Sequence, residues 1–259
     1  MSTFLFNDII FGPISSRRLG RSLGINLLPD NRKICNFNCI YCECGWTENT
    51  SFEKLTFHPR KEVYKALKTK LIKLVSANNQ PDVITFAGNG EPTIHPDFDA
   101  IIEDTLEIRN SISPETQIAV LSNATMIQKS SVFKALSKIE RNILKLDSAI
   151  EDTLVKINQP KGKINLAKLI SDMQSFNGNL IIQTLFLRGD YKGNKIDNTT
   201  EEEINAWLKL LKLIQPFEVM IYTFHRDTPA RGLIRISEEE LNIIGRRVEK
   251  EGIKFLISP

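Results

Sequence analysis

The fold of this chain is constrained most by seven short runs that are almost continuously apolar and recur along its 259 residues. Such runs are typical of parallel β-strands that are buried on both faces. We predict strands at 22–28, 82–87, 117–122, 142–147, 180–187, 218–224 and 253–257. A sheet of such strands needs a covering layer on each face.

Amphipathic helical patterns lie between these runs. Val63, Leu67, Leu71 and Leu74 share one face of a helix in KEVYKALKTKLIKLV. Similar patterns recur at 165–176, 201–214 and 237–250. Alternating strands and helices predict an α/β fold with right-handed crossovers. Six or seven units suit an open partial barrel or a wound sheet and are too few for a closed eight-fold barrel. We expect one domain over residues 1–259.

Composition is ordinary for a globular protein, with 41% hydrophobic and 25% charged residues. There is no apolar run of about 18 residues, so we expect no transmembrane helix. The start, MSTFLFNDIIFG, lacks the basic region of a signal peptide. We therefore expect a cytoplasmic protein with no membrane partner. In the cytoplasm, clustered cysteines favour metal binding or catalysis over disulfides.

The net charge is +3, from 34 basic and 31 acidic residues, which by itself is too small to indicate nucleic-acid binding. The segment 12–33 is locally more basic. From residue 17 to residue 33, the acidic Asp30 is outnumbered by five basic residues: Arg17, Arg18, Arg21, Arg32 and Lys33. Two interpretations stay open: a solvated surface, or a basic rim that suits a carboxylate or phosphate group.

All four cysteines lie in the loop CNFNCIYCEC, residues 35–44, directly after the basic segment. Structural zinc normally takes two separated pairs of ligands, and this chain has no second pair. Two disulfides within ten residues would be strained. The spacing favours an iron–sulfur cluster, because cubane clusters take thiolate ligands. Cys35, Cys39 and Cys42 would supply three of them, and either Cys44 or an external ligand the fourth.

Four polar motifs each follow one predicted strand. The cysteine loop follows the first strand, GNGEPTIHP the second, SNAT the third and DSA the fourth. The carboxyl ends of parallel strands meet at one edge of a sheet, where ligands bind in such folds. We therefore predict a functional site that these four loops form together.

CNFNCIYC resembles the CxxxCxΦC signature of the radical S-adenosylmethionine (SAM) superfamily, with Tyr41 as the aromatic residue beside the cofactor. The resemblance implies an open partial (β/α)6 barrel. It implies that Cys35, Cys39 and Cys42 bind a 4Fe–4S cluster and that SAM chelates the fourth iron, leaving Cys44 without a ligand role. It also implies reductive cleavage of SAM to methionine and a 5′-deoxyadenosyl radical, which abstracts a hydrogen atom from a substrate.

The segment after the second strand resembles the GGEP motif of the same superfamily. The resemblance implies that its backbone and the Glu91 carboxylate receive the ammonium group of SAM. A cofactor role for the polar residues after the third and fourth strands competes with helix capping. The SAM-binding candidates, besides Tyr41, are Gly88, Asn89, Gly90, Glu91, Ser122, Asn123 and Asp147.

Longer stretches, including SSRRLGRSLGINLLP and MIYTFHRDTPARGL, resemble a single-domain group related to wyosine-base tRNA synthases. This chain has no cysteine before Cys35, so the second cluster of the archaeal-type synthases is not expected. Lys145, His225 and Arg226 are candidates for the substrate side, and no catalytic residue is identified.

Three functions stay open. The first is a radical enzyme that acts on tRNA or another phosphate-bearing molecule, with flavodoxin or ferredoxin as electron donor. The second is an activase that makes a glycyl radical on a partner protein. The third is a non-enzymatic iron–sulfur or zinc module, in which Cys44 would be the fourth ligand.

Overall fold

The computed structural model describes residues 4–47 and 56–259. The strands are β1 (Ile10–Ser16), β2 (Gly20–Ile25), β3 (Val83–Phe86), β4 (Gln117–Ser122), β5 (Arg141–Lys145), β6 (Ile181–Leu185), β7 (Leu187–Tyr191), β8 (Asn194–Asp197), β9 (Glu218–Tyr222), β10 (Leu233–Arg235) and β11 (Lys254–Ser258). The helices are α1 (Arg60–Ser76), α2 (Phe98–Ile112), α3 (Ser130–Leu136), α4 (Glu151–Asn158), α5 (Leu166–Gln174), α6 (Glu201–Ile214) and α7 (Glu238–Lys250). Among the described residues, no helix combines the length and the apolar character needed to cross a membrane.

The main sheet has the strand order β1-β2-β3-β4-β5-β6-β9-β11. From β2 to β11 neighbouring strands are parallel, whereas β1 pairs with β2 antiparallel. The sheet curls into a partial barrel with the main core between its outer face and the helices, which confirms the predicted α/β fold class. Each of the seven predicted strands overlaps one of these parallel strands.

The inner face of the barrel has an apolar floor. One residue from each of five consecutive strands forms it: Val83, Ala119, Ile143, Ile181 and Met220. Leu19, from the turn between β1 and β2, packs against this layer. The turn therefore lies against the inside of the barrel, and it brings the neighbouring arginines there as well.

A second sheet, with the order β10-β7-β8, is antiparallel and was not predicted from the sequence. The apolar run predicted as one strand at 180–187 divides after Leu185, and Leu187 begins β7. The remaining residues of this sheet, in LRGDY, NKID and LIR, mix polar and apolar types and are largely half-buried or exposed. They therefore carry no continuous apolar signal.

Asn198 joins the two sheets. Its buried side-chain amide donates to the carbonyl oxygens of Asp147 (2.8 Å) and Leu185 (2.7 Å). Its Oδ1 accepts a hydrogen bond from the backbone N–H of Leu187 (2.9 Å). One side chain thus fixes the end of β6 and the start of β7 against the loop that follows β5.

We expect Asn198→Ala to lower the free energy of unfolding by about 3 kcal/mol, because it leaves buried backbone groups without a partner. Asn194→Ala is the matched control, since Asn194 is exposed at the start of β8, and it should cost less than about 0.5 kcal/mol. Denaturant unfolding of both variants measures the difference. Equal stabilities would show that the Asn198 bonds contribute nothing beyond those available to water.

Candidate functional site

A cavity of about 290 Å³ opens at the carboxyl ends of the parallel strands. Its inner wall is formed by Leu121, Lys145, Gln183 and Tyr222, each two residues beyond a member of the apolar floor. Side chains two residues apart on a strand point to the same face, so these four lie directly above the floor. The loops after β2, β3 and β4 complete the wall.

All four cysteines line this cavity, and all four are free thiols. The amide nitrogen of Asn158 lies 3.3 Å from Cys39 Sγ, and that of Asn123 lies 3.6 Å from Cys35 Sγ. N–H donors at such positions stabilise thiolates and the clusters that thiolates hold. Cys44 differs, because its own thiol donates to the carbonyl oxygen of Gly88 (3.3 Å).

The thiols differ in acidity. Burial raises the pKa of Cys35 to about 12 and that of Cys39 to about 11. Contact with the Cys44 side chain outweighs burial at Cys42 and, with the charge of Lys33, lowers the pKa of Cys42 to about 5. Burial also lowers the pKa of Lys33, but the nearby thiolates more than offset this and raise it overall. A buried cation thus lies directly before the loop and compensates negative charge on the sulfurs of the loop.

Three thiols from one loop, N–H donors to two of them and a buried cation form a donor set that fits a 4Fe–4S cluster. In residues 4–47 and 56–259, no three His, Cys, Asp or Glu side chains converge on the position of a single metal ion. A cluster of four irons and four sulfides is wider than one ion, and its thiolates surround the cluster rather than a point.

The segment before the cysteine loop is attached to the loop after β3 by an isolated parallel β-bridge between Ile34 and Gly90. The N–H of Ile34 donates to the carbonyl oxygen of Asn89 (2.8 Å), and the N–H of Glu91 donates to that of Ile34 (2.9 Å). A Cβ at Gly90, where φ is +135°, would lie 1.8 Å from the Ile34 oxygen. Glycine at 90 therefore lets two backbones approach, a requirement separate from any contact with a cofactor.

Asn89 holds the same loop from the other side. Its buried amide donates to the carbonyl oxygens of Phe6 (2.9 Å) and Pro29 (2.8 Å), and its Oδ1 accepts from the N–H of Phe6 (2.9 Å). The side chain is therefore engaged with protein partners. Gly88 and Gly90 line the cavity.

Glu91 is buried and clamps the ends of β3 and β4 together. Its Oε1 accepts from the hydroxyl of Ser122 (2.9 Å) and from both the N–H and the hydroxyl of Thr93. Its Oε2 accepts from the N–H of Asn123 (2.6 Å). Burial raises the pKa of Glu91, although these hydrogen bonds oppose the shift. Among the described residues, Oε2 accepts a single hydrogen bond and is the oxygen with capacity left for a ligand.

Asp147 ties the cysteine loop to the barrel. It is buried and accepts from the hydroxyl of Tyr41, the amide of Asn158 (2.6 Å) and the N–H of Leu185 (2.9 Å). Asp147 does not cap α4, whose N-cap residue is Ile150. The Tyr41 hydroxyl is thus directed at Asp147.

Lys145 completes this group as a cation. Its Nζ donates to the hydroxyl of Tyr41 and lies 3.5 Å from both Asp147 Oδ2 and the Tyr222 hydroxyl. Burial lowers the pKa of Lys145, but Asp147, followed by Tyr222, outweighs burial and raises it overall. A lysine held in this way is a charged donor rather than a nucleophilic amine.

The remaining candidates divide between the cavity and its rim. His225 and Arg226 are exposed and lie outside the cavity lining. Arg226 pairs with Glu43 of the cysteine loop (3.0 Å). The basic segment also divides: Arg17, Arg18 and Lys33 line the cavity, whereas Arg21 pairs with Asp82 (3.7 Å), at the opposite end of the strands.

One contact of the site carries no sequence signal. Asn158 ends α4 and is 119 residues from Cys39, the thiol to which it donates. Polar residues are common at helix ends, so the sequence does not indicate that the Asn158 amide contacts a sulfur. The tertiary fold brings the two together.

Comparison with known proteins identifies the family. Residues 33–167 match the family model described as the Radical SAM superfamily. The chain belongs to the radical SAM superfamily. It is 33% identical over 224 residues to the UPF0026 protein slr1464 of Synechocystis sp., an alignment that covers 85% of this chain and 77% of that protein. It is also 30% identical over 236 residues to a Brachyspira hyodysenteriae protein named GTPase Obg, and it spans 32% of that protein's length.

Solved structures share the fold. A radical SAM methyltransferase from Sphaerobacter thermophilus superposes with a TM-score of 0.68 and 14% identity over 92% of this chain and 65% of that one. TYW1 with a lysine-pyruvate adduct bound superposes with a TM-score of 0.60 and 15% identity over 89% of this chain and 73% of that one. These matches confirm the predicted partial barrel, and the family model confirms the resemblance to the superfamily. Members of the superfamily are generally enzymes that bind a 4Fe–4S cluster and SAM.

We expect Gly90→Ala to lower the free energy of unfolding by more than about 3 kcal/mol and to reduce the iron retained after reconstitution, because the added Cβ separates the two backbones that the β-bridge joins. Gly193→Ala is the control: Gly193 also has a positive φ, +75°, but a Cβ there meets nothing within 4 Å. Thermal unfolding and iron analysis measure both effects. Similar losses in the two variants would mean that backbone strain alone, and not the close approach in the β-bridge, requires glycine at 90.

Proposed function

We propose that this protein is a radical SAM enzyme in which Cys35, Cys39 and Cys42 hold a 4Fe–4S cluster with one iron open to SAM. When bound, the cluster and SAM supply reductive cleavage to methionine and a 5′-deoxyadenosyl radical that abstracts a hydrogen atom from a substrate. One observation carries the proposal. Three thiols with the x3/x2 spacing share a cavity with Glu91 and Asn123, on the loops after β3 and β4.

The chain's own groups suit each part of this ligand set. Lys33 compensates charge on the sulfurs, and Asn123 and Asn158 donate to two of them. The remaining acceptor capacity of Glu91 Oε2, beside Gly88 and Gly90, suits the ammonium group of SAM. The cavity, at about 290 Å³, is near the lower limit for small-molecule pockets, which favours close contact with the cofactor.

Two further roles belong to the proposal. An electron donor such as flavodoxin or ferredoxin would reduce the cluster, since none of the side chains described above is a low-potential reductant. The substrate would carry an anionic group and would be a tRNA or another phosphate-bearing molecule, because Arg17, Arg18, Lys33 and Lys145 line the cavity.

Paired cysteine variants test the proposal. After anaerobic reconstitution with iron and sulfide, we expect Cys35→Ala to lose the cluster and Cys44→Ala to retain it, because the Cys44 thiol donates to Gly88. With dithionite and SAM, wild type and Cys44→Ala should release 5′-deoxyadenosine slowly without any substrate. Their reduced electron paramagnetic resonance spectra should change when SAM is added.

The opposite pattern has a clear meaning. If Cys44→Ala loses the cluster as Cys35→Ala does, Cys44 is the fourth ligand and the chain is a closed iron–sulfur module. If the wild-type spectrum does not change when SAM is added and no 5′-deoxyadenosine forms, the enzyme proposal fails, regardless of the result for Cys44→Ala.

A further inference from the structure

The turn between β1 and β2 places Arg18 inside the barrel. Its guanidinium carbon lies 4.5 Å from the centre of the Tyr222 ring, a cation–π contact with β9. The next residue, Leu19, packs into the apolar floor, and its backbone N–H donates to Ser16 Oγ (3.2 Å). The position of Arg18 is therefore fixed from both sides, so its guanidinium is held in the cavity and not on a mobile surface.

Arg18 is the cation of this cavity that has a buried nitrogen without a hydrogen-bond acceptor. Its Nη1 is buried and has no hydrogen-bond partner in the part of the chain that the structure describes. The other cations have acceptors. Lys33 donates to the carbonyl oxygen of Gly45 (2.9 Å), Lys145 to Tyr41, and Arg17 to the carbonyl oxygen of Pro259. Leaving a buried N–H without an acceptor is unfavourable, and a bound acceptor would remove that penalty.

On the side of the cysteine loop, positive charge predominates around Arg17 and Arg18. After the larger effect of burial, the charges of Arg18, Arg226 and Arg235 lower the pKa of Arg17, and Glu43 opposes them. On the opposite side, Asp82 and Glu115 line a second pocket that Arg18 also borders. The acidic residues of the cavity lining do not neutralise the arginines fully: Glu43 pairs with Arg226 (3.0 Å), and Glu91 accepts from Thr93, Ser122 and Asn123. Such a cavity concentrates anions.

We propose that Arg18, with Arg17 beside it, binds an oxyanion of the substrate, a carboxylate or a phosphate group, on the β9 side of the cavity. The planar fork of arginine matches both groups in geometry and charge. This inference rests on the proposed function, since it names what the substrate of that same site must carry.

The carboxylate of SAM is the other source of such a group, and the geometry favours the substrate. The SAM carboxylate would chelate iron beside the cysteines. Lys145, which contacts Tyr41 of the cysteine loop, approaches the hydroxyl of Tyr222, whereas Arg18 lies over the ring. Of the two, Lys145 is thus the cation in contact with the cysteine loop, whereas Arg18 contacts β9 through the Tyr222 ring, on the side that we assign to the substrate.

The test uses the reconstituted protein with SAM bound and two probes, inorganic phosphate and acetate, whose binding is followed by NMR line broadening. Arg18→Gln should weaken the binding of at least one probe about tenfold or more. Arg18→Lys, which keeps the charge but loses the fork, should fall between Arg18→Gln and wild type. Arg21→Gln is the control, because it removes the same charge from the same segment at the opposite end of the barrel. It should leave binding within about twofold of wild type.

SAM affinity, measured by equilibrium dialysis, distinguishes the two sources of the oxyanion. We expect it to be equal in wild type and Arg18→Gln. A loss of SAM affinity in Arg18→Gln would assign Arg18 to the cofactor and overturn the proposal. So would equal weakening of both probes by Arg18→Gln and Arg21→Gln, or the absence of phosphate and acetate binding by wild type.

The two proposals fail separately. If the spectrum of the cluster does not change with SAM while phosphate or acetate binding still depends on Arg18, the enzyme proposal is wrong and the anion-site proposal is supported. If SAM is cleaved but neither probe depends on Arg18, the anion site falls alone. Thermal unfolding of each variant establishes that it is folded, and Arg18→Lys carries the test if Arg18→Gln does not fold.

Discussion

The parallel β-bridge between Ile34 and Gly90 is the constraint on which the site depends. Ile34 precedes the first cysteine and Gly90 precedes Glu91, so one pair of hydrogen bonds sets the cysteine loop against the residue that clamps β3 to β4. A Cβ at Gly90 would lie 1.8 Å from the Ile34 oxygen. The close approach thus makes glycine necessary there, and it brings the wall that carries the thiols to the wall that carries Glu91.

Around this bridge the protein buries several charged side chains, and most of them are paired within the chain. Lys33 lies among the thiols, and Lys145 lies between Asp147 and two tyrosine hydroxyls. Such pairing is needed because an unpaired charge out of water is costly. Arg18 departs from this pattern, because its buried Nη1 on the cavity wall has no partner among the described residues, and this is where we propose that a ligand supplies one.

The sequence predicted the architecture because buried parallel strands carry a continuous apolar signal, and all seven such runs became strands of the barrel. It also placed the four motif loops at one edge, since the carboxyl ends of parallel strands must meet there. The small antiparallel sheet was not predicted because its strands, such as LRGDY, mix polar and apolar residues and show no continuous apolar run. Tertiary contacts decided the rest: Asp147 had two local interpretations, yet it binds Leu185 and Tyr41, and Arg18 enters the barrel because Leu19 packs into its floor.

The central claim is that three cysteines leave one iron of the cluster open to SAM. Electron–nuclear double resonance of the reduced, reconstituted protein, with SAM labelled isotopically at its amino nitrogen, tests it most directly. The account predicts hyperfine coupling between the cluster and the labelled nitrogen, in wild type and in Cys44→Ala alike. An intact cluster without such coupling in wild type would contradict the account, because it would mean that protein ligands close every iron.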